Sequence, residues 1–407
     1  MMPSIKLRKG NTLVLYGPAS ALLVEGKASV LGCPLSPRRR LVVKSWRSRP
    51  IYAELDSVID FTYGEEGGYE VIDGDTIPEE WRCFAGKVSE NPSRTCVYGG
   101  ADSGKTTLAT LMANAFVRNH GSSLYFDLDL GQSNICPPTT VGYTLLRRPI
   151  PDISYLRMES GEVVGYTSPT PLIDKHLQAV KSLMSRILKA YAGFSISMDL
   201  DGWVSEEGGI KHKRAMLRIL KPDSLASIGE MPGEIEEACE ELGISYEVLP
   251  PPTKLRRREQ IARKRLREIA YERFLRKSVV RKIPVSWVKL KTITDKSSPR
   301  EIREHIEAII RSYAEYSGEI LDTDSTKALE ELAKRGIGIL SYVRDMLGGF
   351  AGIGLLIGLD LRKNHFKLLT PYQAQIKELI LGAILLSTSG EEIYSNPKIF
   401  LEDRRTD

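Results

Sequence analysis

Gly99-Gly100-Ala101-Asp102-Ser103-Gly104-Lys105-Thr106 satisfies the phosphate-loop pattern G-x-x-x-x-G-K-[ST] at every fixed position. A loop of this kind needs a strand before it and a helix after it. Its glycines let successive backbone N–H groups turn inward around a phosphate, and the helix N-terminus adds its own unpaired N–H groups. Both neighbours are present. Thr95-Cys96-Val97-Tyr98 reads as a strand, and Leu108, Leu111, Met112, Ala115 and Phe116 follow a helical period that ends at Gly121, a C-terminal cap. The sequence therefore predicts the opening of an α/β domain with a parallel sheet. Gly100, Ala101, Asp102, Ser103, Gly104, Lys105, Thr106 and Thr107 are the expected nucleotide-binding residues. Lys105 reaches the β and γ oxygens, and the Thr106 hydroxyl ligates Mg²⁺.

The next apolar run, Ser123 to Leu130, carries Asp127 and Asp129 and continues into Gly131-Gln132-Ser133. Strand alternation puts both acids on one face. Two carboxylates beside one phosphate site, Asp127 and Asp129, can divide metal orientation from general base catalysis. The guanine-reading N-K-x-D signature is absent from the chain. The loop therefore points to adenine, and ATP with Mg²⁺ is the expected cofactor pair.

At 407 residues the chain exceeds what one core usually supports. Short apolar runs separated by Gly, Pro and polar turns from Asn11 to Phe61 have the texture of a small antiparallel β domain. SENPS, residues 89–93, reads as a connection into the α/β domain. Helical patterns at Asp174 to Ala192, Glu234 to Leu242 and Arg256 to Lys277 fill out the middle, and a mixed domain with a charged helix from Pro299 to Tyr316 follows Ile283. The expected division is 1–88, 89–283 and 284–407.

The net charge of +5 is unevenly placed, because Lys254 to Lys282 alone carries thirteen Lys and Arg against three Glu. A second basic cluster comprises Arg38, Arg39, Arg40, Lys44, Arg47 and Arg49. Such runs are either solvated faces or polyanion sites. Five cysteines stand singly with no CxxC pair, which argues against a disulfide framework or a zinc site and suits small buried hydrophobes. The longest uncharged apolar stretch, Met346 to Leu359, falls short of the roughly 18 residues of a membrane helix, and the start lacks the apolar core of a secretory signal. A cytoplasmic protein without membrane contact is expected.

GGADSGKTT, DLDLGQS, Gly165-Tyr166-Thr167-Ser168-Pro169, Asp201-Gly202-Trp203-Val204 and then an Arg-rich helix follow one another in order. Together they resemble the polynucleotide 5′-hydroxyl kinases, which include the kinase subunit of the pre-mRNA cleavage complex, the ribosomal-RNA-processing kinase and their archaeal relatives. The resemblance runs through about residues 94 to 280. It implies an α/β P-loop kinase core with a parallel sheet, flanked by a small N-terminal β domain and a C-terminal mixed, β-rich domain. The implied reaction is transfer of the γ-phosphoryl group of ATP to the 5′-hydroxyl end of single-stranded RNA or DNA.

The resemblance also implies roles for individual residues. Lys105 and Thr106 bind ATP and Mg²⁺, and Asp129 activates the hydroxyl, which leaves Asp127 to orient the metal. Gln132, Thr167, Ser168, Pro169 and Trp203 meet the nucleic acid, the three around 168 as a clasp. Arginines of the segment that begins at Arg256 form a lid. Arg263, Arg265 and Arg267 align equally well with it; Arg263 and Arg267 are chosen because they lie one helical turn apart. Arg256, Arg257 and Arg258 would guide the strand. Two other uses of such a chain are an ATP-binding scaffold in RNA processing without turnover and a nucleic-acid-stimulated ATPase.

Overall fold

The structure, a computed structural model, describes residues 3–253, 259–322 and 324–402. It divides into two compact units, each gathered from three separate stretches of chain. The first takes Met1–Leu128, Tyr143–Arg157 and Arg186–Arg258; the second takes Asp129–Gly142, Met158–Ser185 and Glu259–Asp407.

In the first unit the short apolar runs of the N-terminus form two antiparallel sheets. One has the order Ser4–Leu7, Ser57–Tyr63, Ala19–Glu25, Leu41–Val43; the other runs Cys33–Pro34, Ala28–Val30, Ser48–Ala53, Thr12–Tyr16, Gly68–Ile72. Ala19 to Leu23 alternate buried with half-buried residues, the signature of a sheet with one face in the core. Two of the basic residues of this region serve structure. Arg49 pairs with the buried Asp152 at 2.6 Å, and Lys44 Nζ donates to the Ser154 carbonyl at 3.0 Å.

After the helix Glu79–Val88 the chain forms parallel strands in the order Ser123–Asp127, Ile196–Asp199, Arg94–Tyr98, Ser224–Ile228, Ser245–Leu249. Cys96 in the central strand stands opposite Met198 on one side and Leu225 on the other. Strands covered on both faces read as continuous apolar runs, and these do. Leu124, Tyr125, Phe126, Cys96, Val97, Met198, Leu225 and Ala226 are fully buried. Helix Lys105–His120 packs on this sheet and ends at Gly121 in a left-handed conformation, as its sequence predicts.

In the second unit, helix Gln260–Leu275 precedes a β sheet of order Val279–Pro284, His365–Thr370, Phe350–Asp360, Ile337–Arg344, Glu378–Ser387, Lys289–Thr292. The outermost strands of this order are consecutive in sequence, joined by residues 285–288. Flat, they would stand about 24 Å apart at the normal strand spacing. The connection spans about 17 Å when fully extended, and part of it is a 3₁₀ turn. The sheet must therefore coil until its edges approach one another. Its core is Ile339, Tyr342, Leu355, Phe366, Leu368, Leu379 and Leu385, none more than 1% exposed. The charged stretch near Pro299 is the helix Pro299–Ser317, opened by a capping box between Ser298 and Glu301.

Four of the five cysteines are buried, whereas Cys83 is exposed on helix Glu79–Val88, so the reading of all five as buried hydrophobes holds for four. Among the described residues no helix is long and apolar enough to cross a membrane.

Candidate active site

The loop takes its shape from two glycines. Gly99 has φ of +152°, and a Cβ there would meet Ser103 Oγ at 2.8 Å and the Ile228 carbonyl at 3.1 Å. Gly104 has φ of +104°, and its Cβ would stand 2.8 Å from the Trp81 ring. Both positions therefore exclude a side chain. Gly104 is the residue before the first turn of helix Lys105–His120 and supplies no side-chain cap. The first N–H groups of the helix are left facing the loop, an arrangement suited to an anion. Lys105 is buried, with Nζ donating to the Gly100 carbonyl across the loop at 2.6 Å.

The Thr106 hydroxyl donates to Asp199 Oδ2 at 2.6 Å, and the Tyr125 hydroxyl donates to the same oxygen at 2.8 Å. Asp199 ends the strand next to the central one and lies directly opposite Asp127 in register. Both carboxylates are buried. The Tyr125 phenol is pushed well above its ordinary pKa, first by burial and then by the negative charges of Asp199 and Asp127, so it remains a donor at neutral pH.

Sequence reasoning gave the metal-side carboxylate to Asp127 and passed over Asp199. The signal was available: Asp199 lies two residues before the Asp201-Gly202-Trp203-Val204 motif, at the end of the apolar run Ile196-Ser197-Met198. A hydroxyl and a carboxylate this close are hard oxygen donors of the kind that hold Mg²⁺. The residues present fit that ion.

The Asp201–Trp203 turn packs on the same loop. A Cβ on Gly202 would stand 2.9 Å from Ala101 Cα. Asp201 Oδ1 accepts the Trp203 backbone N–H at 3.0 Å and Lys213 Nζ at 2.7 Å. Lys213 is fully buried, with His212 Nδ1 at 3.2 Å from its ammonium. Trp203 is half-buried, its indole N–H donating to Glu206 at 3.1 Å.

In the second unit the chain has left its strand, which ends at Asp127, so strand alternation does not extend to Asp129. Asp129 instead folds over its own turn, with Oδ1 accepting the N–H groups of Gly131 at 2.9 Å and Gln132 at 2.8 Å. That turn lies against Thr167, whose carbonyl is 2.9 Å from where a Gly131 Cβ would be. Thr167 and Ser168 are half-buried; Pro169 is buried and leads into the short 3₁₀ turn Thr170–Leu172. Gln132 Nε2 donates to the Arg263 carbonyl at 3.2 Å, and Arg273 donates to the Asn134 carbonyl at 3.1 Å. Asp129, Gln132, Thr167 and the helix that carries Arg263 are thus brought together.

Arg267 is not directed to that cluster. It makes a bidentate pair with Glu392 at 2.5 and 2.8 Å, anchoring helix Gln260–Leu275 to the C-terminal sheet. Arg256, Arg257 and Arg258 lie outside the described residues.

The family described as mRNA cleavage and polyadenylation factor CLP1 P-loop matches residues 99–277. Residues 99–277 are thus similar to the CLP1 P-loop family. The match spans the phosphate loop, the Asp129–Gln132 turn, Thr167 to Pro169, Trp203 and the Arg-rich helix, so the resemblance carried by those motifs holds. Similar proteins include the polyribonucleotide 5′-hydroxyl-kinase of Thermococcus kodakarensis, 24% identical over 74% of this chain and 90% of that one. The enzyme of the same description from Methanocaldococcus jannaschii is 23% identical over 75% and 91%. The CLP1 homolog of Culex quinquefasciatus is 34% identical over 47% and 48%. In fold, the chain is similar to one in a solved structure of a wild-type Clp1p–Pcf11p complex. The TM-score is 0.68 at 11% identity, covering 94% of this chain and 97% of that one. The CLP1 P-loop fold with flanking β-rich sheets is therefore the architecture of this chain.

Proposed function

We propose that the protein transfers the γ-phosphoryl group of ATP to the 5′-hydroxyl end of RNA, with DNA as a further acceptor. The observation that carries this is the pairing of a complete phosphate loop, including buried Lys105 and the Thr106–Asp199 contact, with alignment to archaeal polyribonucleotide 5′-hydroxyl-kinases over three quarters of the chain.

Lys105 would offer its ammonium to the β and γ oxygens while the loop N–H groups surround the β-phosphate. Thr106 and Asp199 would hold Mg²⁺, with Asp127 beside them in register. When bound, the ion neutralises charge on the β and γ oxygens. Asp129 would take the proton of the 5′-hydroxyl as its oxygen attacks phosphorus and the bond to the β-phosphate oxygen breaks. The two N–H groups on Oδ1 orient that carboxylate. Gln132, Thr167, Ser168 and Pro169 would border the acceptor, and Trp203 would offer a face for stacking. Arg263 would meet charge on the transferring group, while Arg267, held by Glu392, would fix the helix that presents Arg263. Arg256, Arg257 and Arg258 would guide the strand. Residues 1–88, 89–283 and 284–407 are the functional segments in this reading.

Purified protein incubated with γ-labelled ATP, Mg²⁺ and a 5′-hydroxyl oligonucleotide should yield an oligonucleotide labelled at its 5′ end. Retained ATP without transfer would make the protein a scaffold, and release of labelled phosphate into water would make it an ATPase.

A further inference from the structure

From Arg276 to Lys291 the chain carries six cations and no acid. This run forms the first strand of the C-terminal sheet, Val279–Pro284, then the 3₁₀ turn Val285–Trp287 and the start of the strand Lys289–Thr292. Two of the six are engaged. Arg281 donates to the Tyr372 and Ala374 carbonyls, and Lys291 faces Glu378 at 3.4 Å. Arg276, Lys277, Lys282 and Lys289 are exposed, and among the described residues none of them has a carboxylate partner.

The neighbouring segments add to the charge. Lys282 stands directly opposite Lys367 across the strand pair, but Lys367 faces Glu330 at 3.7 Å, so of the two only Lys282 lacks a carboxylate among the described residues. The backbone N–H of Lys289 donates to the Lys377 carbonyl, which places a further exposed lysine beside it.

Trp287 is 71% exposed in the middle of this run. Its turn is held firmly. Val285 N–H donates to the Asn364 carbonyl at 3.1 Å, Ser286 N–H to Asn364 Oδ1 at 3.1 Å, and Asn364 Nδ2 to Ser286 Oγ at 3.1 Å. An indole on a fixed turn, uncovered and flanked by unpaired cations, costs apolar exposure that neither folding nor solubility requires.

We propose that this edge binds single-stranded RNA. Lys282, Lys289 and Lys377 would contact phosphates, and one base would stack on Trp287. Cations tracking a backbone beside an exposed aromatic face are how single strands are held without reading sequence, whereas a duplex keeps its base faces covered. The inference rests on the RNA-kinase reading for the identity of the polyanion, and it assigns this edge to the body of the substrate.

The test is equilibrium binding of the full chain to 3′-labelled single-stranded RNA, as a trinucleotide and as a long oligonucleotide, across a salt series. Wild type should bind the long RNA more tightly. Trp287→Ala should weaken the long RNA about tenfold, the scale of one base stack, and Trp287→Phe should restore most of that. Lys282→Glu with Lys289→Glu should reduce the magnitude of the log–log salt slope by about 1.4, from two lost contacts at ~0.7 each. Trinucleotide affinity should change little in any variant. Wild type that shows these binding effects but transfers no phosphoryl group would keep the site and remove the kinase reading. Transfer by wild type, with long-RNA affinity unaltered in both the tryptophan and lysine variants, would overturn the site and leave the kinase reading intact. Binding of an acidic polypeptide that depends on Trp287, without any effect on RNA, would also overturn it in favour of a protein partner.

Discussion

Tyr125 and Asp199, on adjacent strands, are joined by a 2.8 Å hydrogen bond to the same carboxylate oxygen that accepts from Thr106. The phenol is tied to the carboxylate that the Thr106 hydroxyl also meets, so its loss should be read at that pair. Tyr125→Phe should destabilise the fold by about 2 kcal/mol, the range for a buried hydrogen bond to a charged group. It should also raise the Mg²⁺ concentration needed for tight ATP binding. Calorimetric titration of ATP at graded Mg²⁺ checks this; a purely structural phenol would lower the melting temperature and leave the Mg²⁺ midpoint in place.

Lys105 and Asp129 should separate binding from chemistry. Lys105→Ala should abolish transfer by removing a charge-assisted phosphate contact, and ATP affinity should fall with it. Asp129→Asn should lower kcat by about 10²- to 10⁴-fold, the usual worth of a general base, while ATP binding stays near wild type. Single-turnover kinetics beside ATP titration distinguishes the two. Near-normal turnover in Asp129→Asn with a dead Asp127→Asn would reverse the roles given to these acids.

The buried Asp201–Lys213 pair positions Trp203 through the backbone N–H that Asp201 accepts. Lys213→Met leaves a buried carboxylate without its cation and should cost about 3–5 kcal/mol. Pairing it with Asp201→Asn should recover part of that loss, which a double-mutant cycle measures as a coupling energy. In the same single variant the KM for RNA should rise more than the KM for ATP.

Acid should weaken the Arg49–Asp152 pair. Burial alone would raise the Asp152 pKa, but Arg49 at 2.6 Å, Arg47 and the Ser154 N–H more than offset burial and hold it well below the usual carboxylate range. The folded-state value is thus below the unfolded value of about 3.9. The stabilisation is complete above that pH and is lost as pH falls towards the folded value. Asp152→Asn should destabilise by about 3–5 kcal/mol at neutral pH. Its melting temperature should then vary less than that of wild type below about pH 4.

The legible part of the site was the part built from near neighbours. The loop from Gly99 to Thr106 and the helix behind it lie within one short stretch, so spacing alone specified Lys105 and Thr106. Asp199 is placed by strand order instead, because its strand is inserted between Arg94–Tyr98 and Ser123–Asp127 although it follows both in sequence. No local pattern encodes that insertion. The pairing of Arg267 with Glu392 was hidden for a related reason, since the two lie 125 residues apart. Asp129 was placed by strand alternation, which fails once the strand ends and the side chain finds N–H groups in its own turn. The small N-terminal β texture and the helix at Pro299 were readable from turns and caps, whereas coiling of the C-terminal sheet depends on pairings between distant strands.

The central strand Arg94–Tyr98 pairs with Ile196–Asp199 and Ser224–Ile228, both of which are synthesised much later. A ribosome adds about 5–20 residues per second, so this apolar strand emerges many seconds before either neighbour exists. Throughout that interval it is a bare β edge on a growing chain. The greater part of the second unit, Glu259–Asp407, is also made after the two stretches of it that come between. The nascent polypeptide thus passes through a long aggregation-prone stage, and its yield in cells should depend on holdase chaperones at the tunnel exit more than on the stability of the finished molecule.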